Sequence, residues 1–184
     1  MIICITGMPG AGKSTAARIL KAHGFSVIEM GAFVRRLMKE QHVRVDPNSL
    51  RSFSTELRKR HGQAAVAKFA GMAAKKEKGD VAIIGIRSPA EIHSLREQLG
   101  AGMCVIALST PRNERYSRLE ERARMDDAAM RNGLEKRDRV ESGWGIREAI
   151  AMADVIISNE GTRRELTGNL TSVINSIKGA KGRR

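Results

Sequence analysis

Residues 7–15 read GMPGAGKST, and they stand between the short apolar run IICIT and a stretch that suits a helix. No other feature restricts the fold as tightly. The spacing Gly7-x-x-x-x-Gly12-Lys13-Ser14 needs a chain that leaves a strand, turns on glycines and enters a helix at once. Glycine lets successive backbone N–H groups turn inward where a Cβ would obstruct them, and the helix start adds partial positive charge. Such a loop cradles the phosphates of a nucleoside triphosphate. Gly7, Met8, Pro9, Gly10, Ala11, Gly12, Lys13, Ser14 and Thr15 are the expected nucleotide-binding residues. Lys13 would reach the β- and γ-phosphates, and the Ser14 hydroxyl would ligate Mg²⁺.

The rest of the chain alternates strand and helix in the way this loop demands. Ile2–Thr6, FSVIEM (25–30), DVAIIGI (80–86), MCVIALS (103–109) and ADVIIS (153–158) read as strands. They show little in/out alternation, as expected where helices cover both faces of a parallel sheet. Helix starts are marked by Asp46-Pro47, by Ser88-Pro89-Ala90-Glu91, by Thr110-Pro111 and by Thr162–Glu165. The last opens a helix whose apolar face is Leu166, Leu170, Val173, Ile174 and Ile177. These elements predict an α/β fold: one domain over 1–184, a three-layer sandwich around a five-stranded parallel sheet. Residues 31–78 are the predicted helical cover over an acceptor site.

Composition narrows the class. With 41% apolar and 29% charged residues the chain has the make-up of a folded soluble domain. No apolar run approaches the ~20 residues of a membrane span, and no secretory leader is recognisable ahead of the glycine loop. Cys4 and Cys104 sit inside apolar runs without metal-ligand spacing, so buried free thiols in a cytoplasmic protein are expected. The 33 basic against 20 acidic residues give a formal charge of +13, which calls for a polyanionic partner. ATP and a small phosphorylated acceptor meet that call. A nucleic acid is the weaker alternative, carried by charge and by the basic tail 178–184. One Trp, one Tyr and four Phe offer little platform for stacking bases. Monomer and homodimer stay equally open.

Ligands of such sheets sit beyond the carboxyl ends of the strands. That places the chemistry within Gly7–Ser14, Glu29–Arg35, Ile84–Ser88, Ser109–Arg112 and Ser158–Gly161. Arg35 and Arg87 fall inside this set. Between the fourth and fifth strands, 111–139 carries eight arginines, with Arg115, Arg118 and Arg122 on one helical stripe. Mobile arginines that close over a transferring phosphoryl group are what a small kinase needs, so this segment is read as an arginine-rich lid.

In order along nearly the whole chain, ITGMPGAGKST, the arginine after strand two, GIRS, RARMDD, RDR and ADVIISNEGTRREL resemble the nucleoside monophosphate kinase/dephospho-coenzyme A kinase group. They look most like a small archaeal branch of P-loop kinases. The resemblance implies an ATP- and Mg²⁺-dependent phosphotransferase with a nucleoside monophosphate or dephospho-coenzyme A-like acceptor. It puts Lys13, Arg124 and Arg137 on the triphosphate, Arg35 and Arg87 on the acceptor phosphate, and Asn159 with Gly161 beside the base.

Two positions depart from that pattern. Related kinases carry an acid before the glycine of the third-strand motif and another after strand two; here Ile84 and Ala32 stand there. Neither can bind a metal or accept a proton. Mg²⁺ keeps several waters and needs few carboxylates, so Ser14 and Glu29 form the expected metal set, with Glu91 a poorer candidate. The alternatives are a regulatory protein that binds nucleotide with reduced catalysis and, on charge alone, an RNA- or ribosome-associated ATPase.

Overall fold

Five short apolar segments pair side by side in the computed structural model, which describes residues 1–100, 102–123 and 131–181. They are β1 (Ile2–Thr6), β2 (Ser26–Glu29), β3 (Val81–Ile86), β4 (Met103–Ser109) and β5 (Val155–Ser158). Their order is β2-β3-β1-β4-β5, and every neighbouring pair is parallel. The helices are α1 (Lys13–Ala22), α2 (Met30–Glu40), α3 (Pro47–His61), α4 (Ala65–Ala74), α5 (Pro89–Leu99), α6 (Arg112–Ala123), α7 (Arg131–Gly143), α8 (Ile146–Ala151) and α9 (Arg163–Lys181). The predicted three-layer sandwich with a five-stranded parallel sheet is therefore present. No described helix is long and apolar enough to cross a membrane.

Alternation along each strand divides the core in two. Ile3, Ile5, Ala82, Ile84, Ile106 and Leu108 pack with α1 and α9. Cys4, Val81, Ile83 and Val105 pack on the other face with α2, α4, α5 and α8. Both sets are buried, which explains why the strands read as unbroken apolar runs. The chain crosses from one side of β1 to the other between β3 and β4, so the switch point lies at the end of β1. The glycine loop follows there.

Most helix starts form as their sequences dictate. Asp46 accepts from the N–H groups of Asn48 (2.9 Å) and Ser49 (3.0 Å), with Pro47 at the first helical position. Thr162 and Glu165 complete a reciprocal capping box, at 2.6 and 3.2 Å. Two starts differ from expectation. Ser88 caps the Glu91 N–H at 3.2 Å, but the Glu91 carboxylate reaches past Ser88 to the N–H of Arg87 at 2.6 Å. The Thr110 hydroxyl caps nothing; it donates to the carbonyl of Asn159 at 3.2 Å and stitches β4 to the turn after β5. Strand two is also shorter than FSVIEM, because Met30 already begins α2.

β3 carries the one irregularity that bears on the site. Ile5 pairs with Ile84 but Thr6 pairs with Ile86, so Gly85 is an extra residue, with φ of +98°. The bulge turns Ile86 to the α2/α5 face, where unbroken alternation would have put it under α1. The Thr6 hydroxyl donates to the Ile86 carbonyl at 2.9 Å and fixes the distortion. Arg87 leaves the sheet from this bend. A side chain at Gly85 would meet nothing within 4 Å, so any cost of adding one is conformational. Gly85→Ala should destabilise the fold by about 1–2 kcal/mol in urea denaturation. Gly79→Ala, at another open position, should change stability by less than about 0.5 kcal/mol.

Candidate functional site

The loop between β1 and α1 is held by its carbonyls. The Lys13 ammonium donates to the carbonyls of Gly7 and, at 2.9 Å, Met8. Arg115 donates to the carbonyl of Pro9 at 2.8 Å, and the Asn159 amide donates to that of Ala11 at 2.9 Å. With these acceptors tied to the protein, N–H groups of the loop are left to face a ligand. Gly12 caps α1 with φ of +100° and offers no side-chain acceptor to the first-turn N–H groups. A Cβ there would collide with the Asn159 amide, so the glycine is required by what packs behind the loop as well as by what binds in front. This arrangement fits a phosphate chain: donors and a helix start converge where oxygens would lie.

α7 brings two acids into the site. Leu134, Asp138 and Glu141 recur at i, i+4 and i+7 on its inward face; Leu134 and Glu141 are buried and Asp138 is nearly so. Asp138 takes Arg115 in a bidentate pair at 3.0 and 2.7 Å. Arg115 thus links the loop to α7. Glu141 stands between Arg87 Nε at 3.3 Å and Arg137 Nε at 3.1 Å. Burial pushes its carboxyl up, but Arg87, Arg137 and Lys13 outweigh that and hold it down at about 2. Loss of solvent, with the nearby Arg87, Arg137 and Arg115, brings the Lys13 ammonium down to about 7; Glu141 opposes that shift.

Beside this cluster lies a cavity of about 330 Å³ walled by Arg35, Arg51, Arg87, Arg137, Glu141 and Trp144, with Val34, Val45 and Leu50 on its apolar side. Arg35 and Arg87 converge over Gly31: a Cβ there would lie 3.4 Å from Arg35 Nη1 and 4.0 Å from Arg87 Nη2. Arg87 is set from behind. Glu91, fully buried, accepts from its backbone N–H and from Arg58 Nη2, both at 2.6 Å. Arg58, also buried, stacks at 4.3 Å from the centre of the Trp144 ring. Glu91 is therefore a structural acid, and its burial pushes its carboxyl up.

Ser14 and Glu29 line a second, more open cleft of about 440 Å³ with Ala17, Arg18 and Ala32. Glu29 pairs with Ile84 in register across β2 and β3, and the Ile84 side chain is buried among the residues under α1. The strand on which the resemblance implied an acid is thus apolar here, and the neighbouring strand carries one. Glu29 also faces Arg35 at 3.5 Å, with both side chains exposed. Among the described residues no three His, Cys, Asp or Glu side chains form a metal cluster. A hydroxyl and one carboxylate on a shared cleft fit a largely hydrated Mg²⁺ and nothing more demanding.

The remaining expected residues lie around the loop and the turn after β5. Asn159 is buried behind the loop, its N–H donating to Ser109 at 2.7 Å, and Gly161 lies in the exposed turn before α9 next to Glu165. Two arginines of the stripe are engaged within the chain. Arg115 is buried on Asp138 and Pro9, while Arg118 pairs with Glu114 at 3.1 Å. Arg124 lies outside the described residues. The sequence reading missed Asp138, Glu141, Arg51 and Arg58. For the first two a signal existed: acids on the heptad-like positions that Leu134 opens.

Arg115 holds the loop and α7 together while buried, so Arg115→Ala strands a carboxylate and a carbonyl. It should cost about 3–5 kcal/mol in chemical denaturation. Asp138→Ala added to it should cost much less than Asp138→Ala alone, and full additivity would contradict the pairing.

Comparison with known proteins agrees with this architecture. A family model described as an AAA domain matches residues 3–139. A UPF0200 protein of Methanoregula boonei is 34% identical over 178 residues, covering 96% of this chain and 97% of the relative. One from Pyrococcus horikoshii is 34% identical over 183 residues, with 96% and 97% covered. Among solved structures, a Thermus thermophilus protein matches with a TM-score of 0.66 at 20% identity, covering 96% of this chain and 97% of its own. A shikimate kinase from Acinetobacter baumannii in complex with shikimate matches with a TM-score of 0.58 at 18% identity, covering 95% and 93%. At these identities the structural likeness shows the fold. The chain is a member of the UPF0200 family, an AAA-domain protein with the P-loop kinase-like fold.

Proposed function

We propose that this protein is an ATP-dependent phosphotransferase acting on a small phosphorylated acceptor, such as a nucleoside monophosphate or a dephospho-coenzyme A-like molecule. One observation carries the reading: the phosphate loop and an arginine-walled cavity meet at a single charge cluster, where Glu141 contacts Arg87 and Arg137 and lies in the field of Lys13. A hydrolytic switch needs no second anion site facing its loop. Phosphoryl transfer between two substrates does.

In this reading the loop amides and Lys13 hold the triphosphate, while Arg35 and Arg87 hold the acceptor phosphate. Arg137, half-exposed at the boundary, serves the group in transit. Catalysis is then positioning and electrostatic stabilisation by fixed cations in a partly dry site. Ser14 and Glu29 would hold Mg²⁺, which would supply positive charge against the phosphates. The second reading, a nucleotide-binding regulatory protein, draws on Ile84 being committed to the apolar core.

Acceptor-stimulated ATP consumption across a panel of phosphorylated small molecules separates the two. The kinase reading expects turnover with one class, and Lys13→Ala should lower it by at least about 100-fold while circular dichroism stays unchanged. Tight ATP binding with no acceptor turnover at high protein concentration would favour the regulatory reading.

The Lys13 ammonium, at about 7 in the free protein, supplies a pH test. Bound phosphates favour its charged form and restore a higher value. Below about pH 7 the proton is already in place; above it, binding must take one up. Triphosphate affinity should therefore fall from pH 7.5 to 9 by up to about tenfold per unit. Calorimetry in two buffers of different ionisation enthalpy should register that uptake, and Lys13→Ala should abolish it.

A further inference from the structure

Glu141 is the group that the reading above leaves without a task. The cavity wall carries four arginines, 35, 51, 87 and 137, against two acids. Asp46 is occupied at the start of α3, where it accepts from two N–H groups and the Ser49 hydroxyl. Glu141 instead points into the arginines. Its side chain is 4% exposed, and its two oxygens are divided between Arg87, which leaves β3, and Arg137, its own neighbour one turn earlier on α7. A carboxylate of the chain thus stands where an anion of the acceptor would bind.

We propose that Glu141 sets the charge class of the acceptor, admitting a dianionic phosphate monoester and excluding a monoanionic carboxylate. The inference rests on the cavity being the acceptor site. An incoming carboxylate offers Arg87 and Arg137 only what Glu141 already gives them. Glu141 makes those contacts from within the chain at a high effective concentration, and expelling it would leave a buried charge unpaired. A phosphate monoester brings up to two charges and three acceptor oxygens. It can take both guanidinium groups, use Arg35 over Gly31 as well, and leave Glu141 a share of Arg137. Selectivity therefore comes from a competing group inside the site and not from the pocket's outline.

The matched probes are phenyl phosphate and benzoate, which share a ring and differ in the anion. Binding to the full chain is followed by calorimetry. The wild-type protein should bind phenyl phosphate at least about tenfold more tightly than benzoate. In Glu141→Gln the benzoate affinity should rise and the ratio should shrink at least about fivefold, while Glu141→Asp, which keeps the charge, should hold the ratio. A Gln variant with an unchanged ratio overturns the inference and leaves the acceptor reading standing. If the wild type binds neither probe, the acceptor reading fails and the inference fails with it. A second measurement needs no variant. Phenyl phosphate passes from dianion to monoanion near pH 6, so its affinity for the wild type should drop between pH 7.5 and 5 relative to that of benzoate. Parallel pH profiles for the two probes overturn the inference.

Discussion

Cations gathered at the carboxyl edge of a sheet repel one another, and everything in this site depends on how that repulsion is contained. Two unit charges 5 Å apart at a protein surface oppose each other by about 3 kcal/mol. Lys13, Arg87, Arg115 and Arg137 all contribute to one shared field. The two acids of α7 divide it: Asp138 neutralises the arginine behind the loop, and Glu141 bridges the two in front. Helix α7 thereby keeps the phosphate loop shaped and the arginines aimed. Without those two carboxylates the same arginines would splay into solvent, and each ligand would bear the cost of gathering them.

The frame of the molecule was legible because it depends on local rules. The glycine loop dictates a strand before it and a helix after it, and the caps at Asp46 and Thr162 depend on hydrogen bonds spanning three residues. Parallel strands buried on both faces announce themselves as apolar runs. The site was legible only in part. Lys13, Arg35 and Arg87 follow from their places at strand ends, and the cavity gathers Arg35, Arg87 and Arg137. The lid reading treated the arginines of 111–139 as a set. Which arginine faces the site and which is spent on structure depends on pairing across more than 20 residues, as for Arg115 with Asp138. Charge counts carry no information about such pairs. The same limit hid Arg58 and the structural role of Glu91, whose contact spans 33 residues.

The two departures at Ala32 and Ile84 take on a spatial meaning in the fold. Paired residues of parallel strands face the same side of a sheet, so Glu29 stands beside Ile84 on the α1 face, toward Ser14. The carboxylate that shares a cleft with Ser14 comes from the outermost strand, where both Glu29 and Arg35 are open to water. The residues that would hold a metal are thus open to water, whereas Arg58, Glu91, Arg115 and Glu141 are buried.

The chain contains one tryptophan. Trp144 stands in the wall of the cavity with Arg58 against its ring and the Arg87 guanidinium 5.8 Å from its centre. Indole emission responds to the charges and the water around the ring. Occupancy of the cavity is therefore written into the intrinsic fluorescence of the unlabelled protein, free of background from any second indole. The residue that braces the cavity is also the molecule's own optical gauge of it.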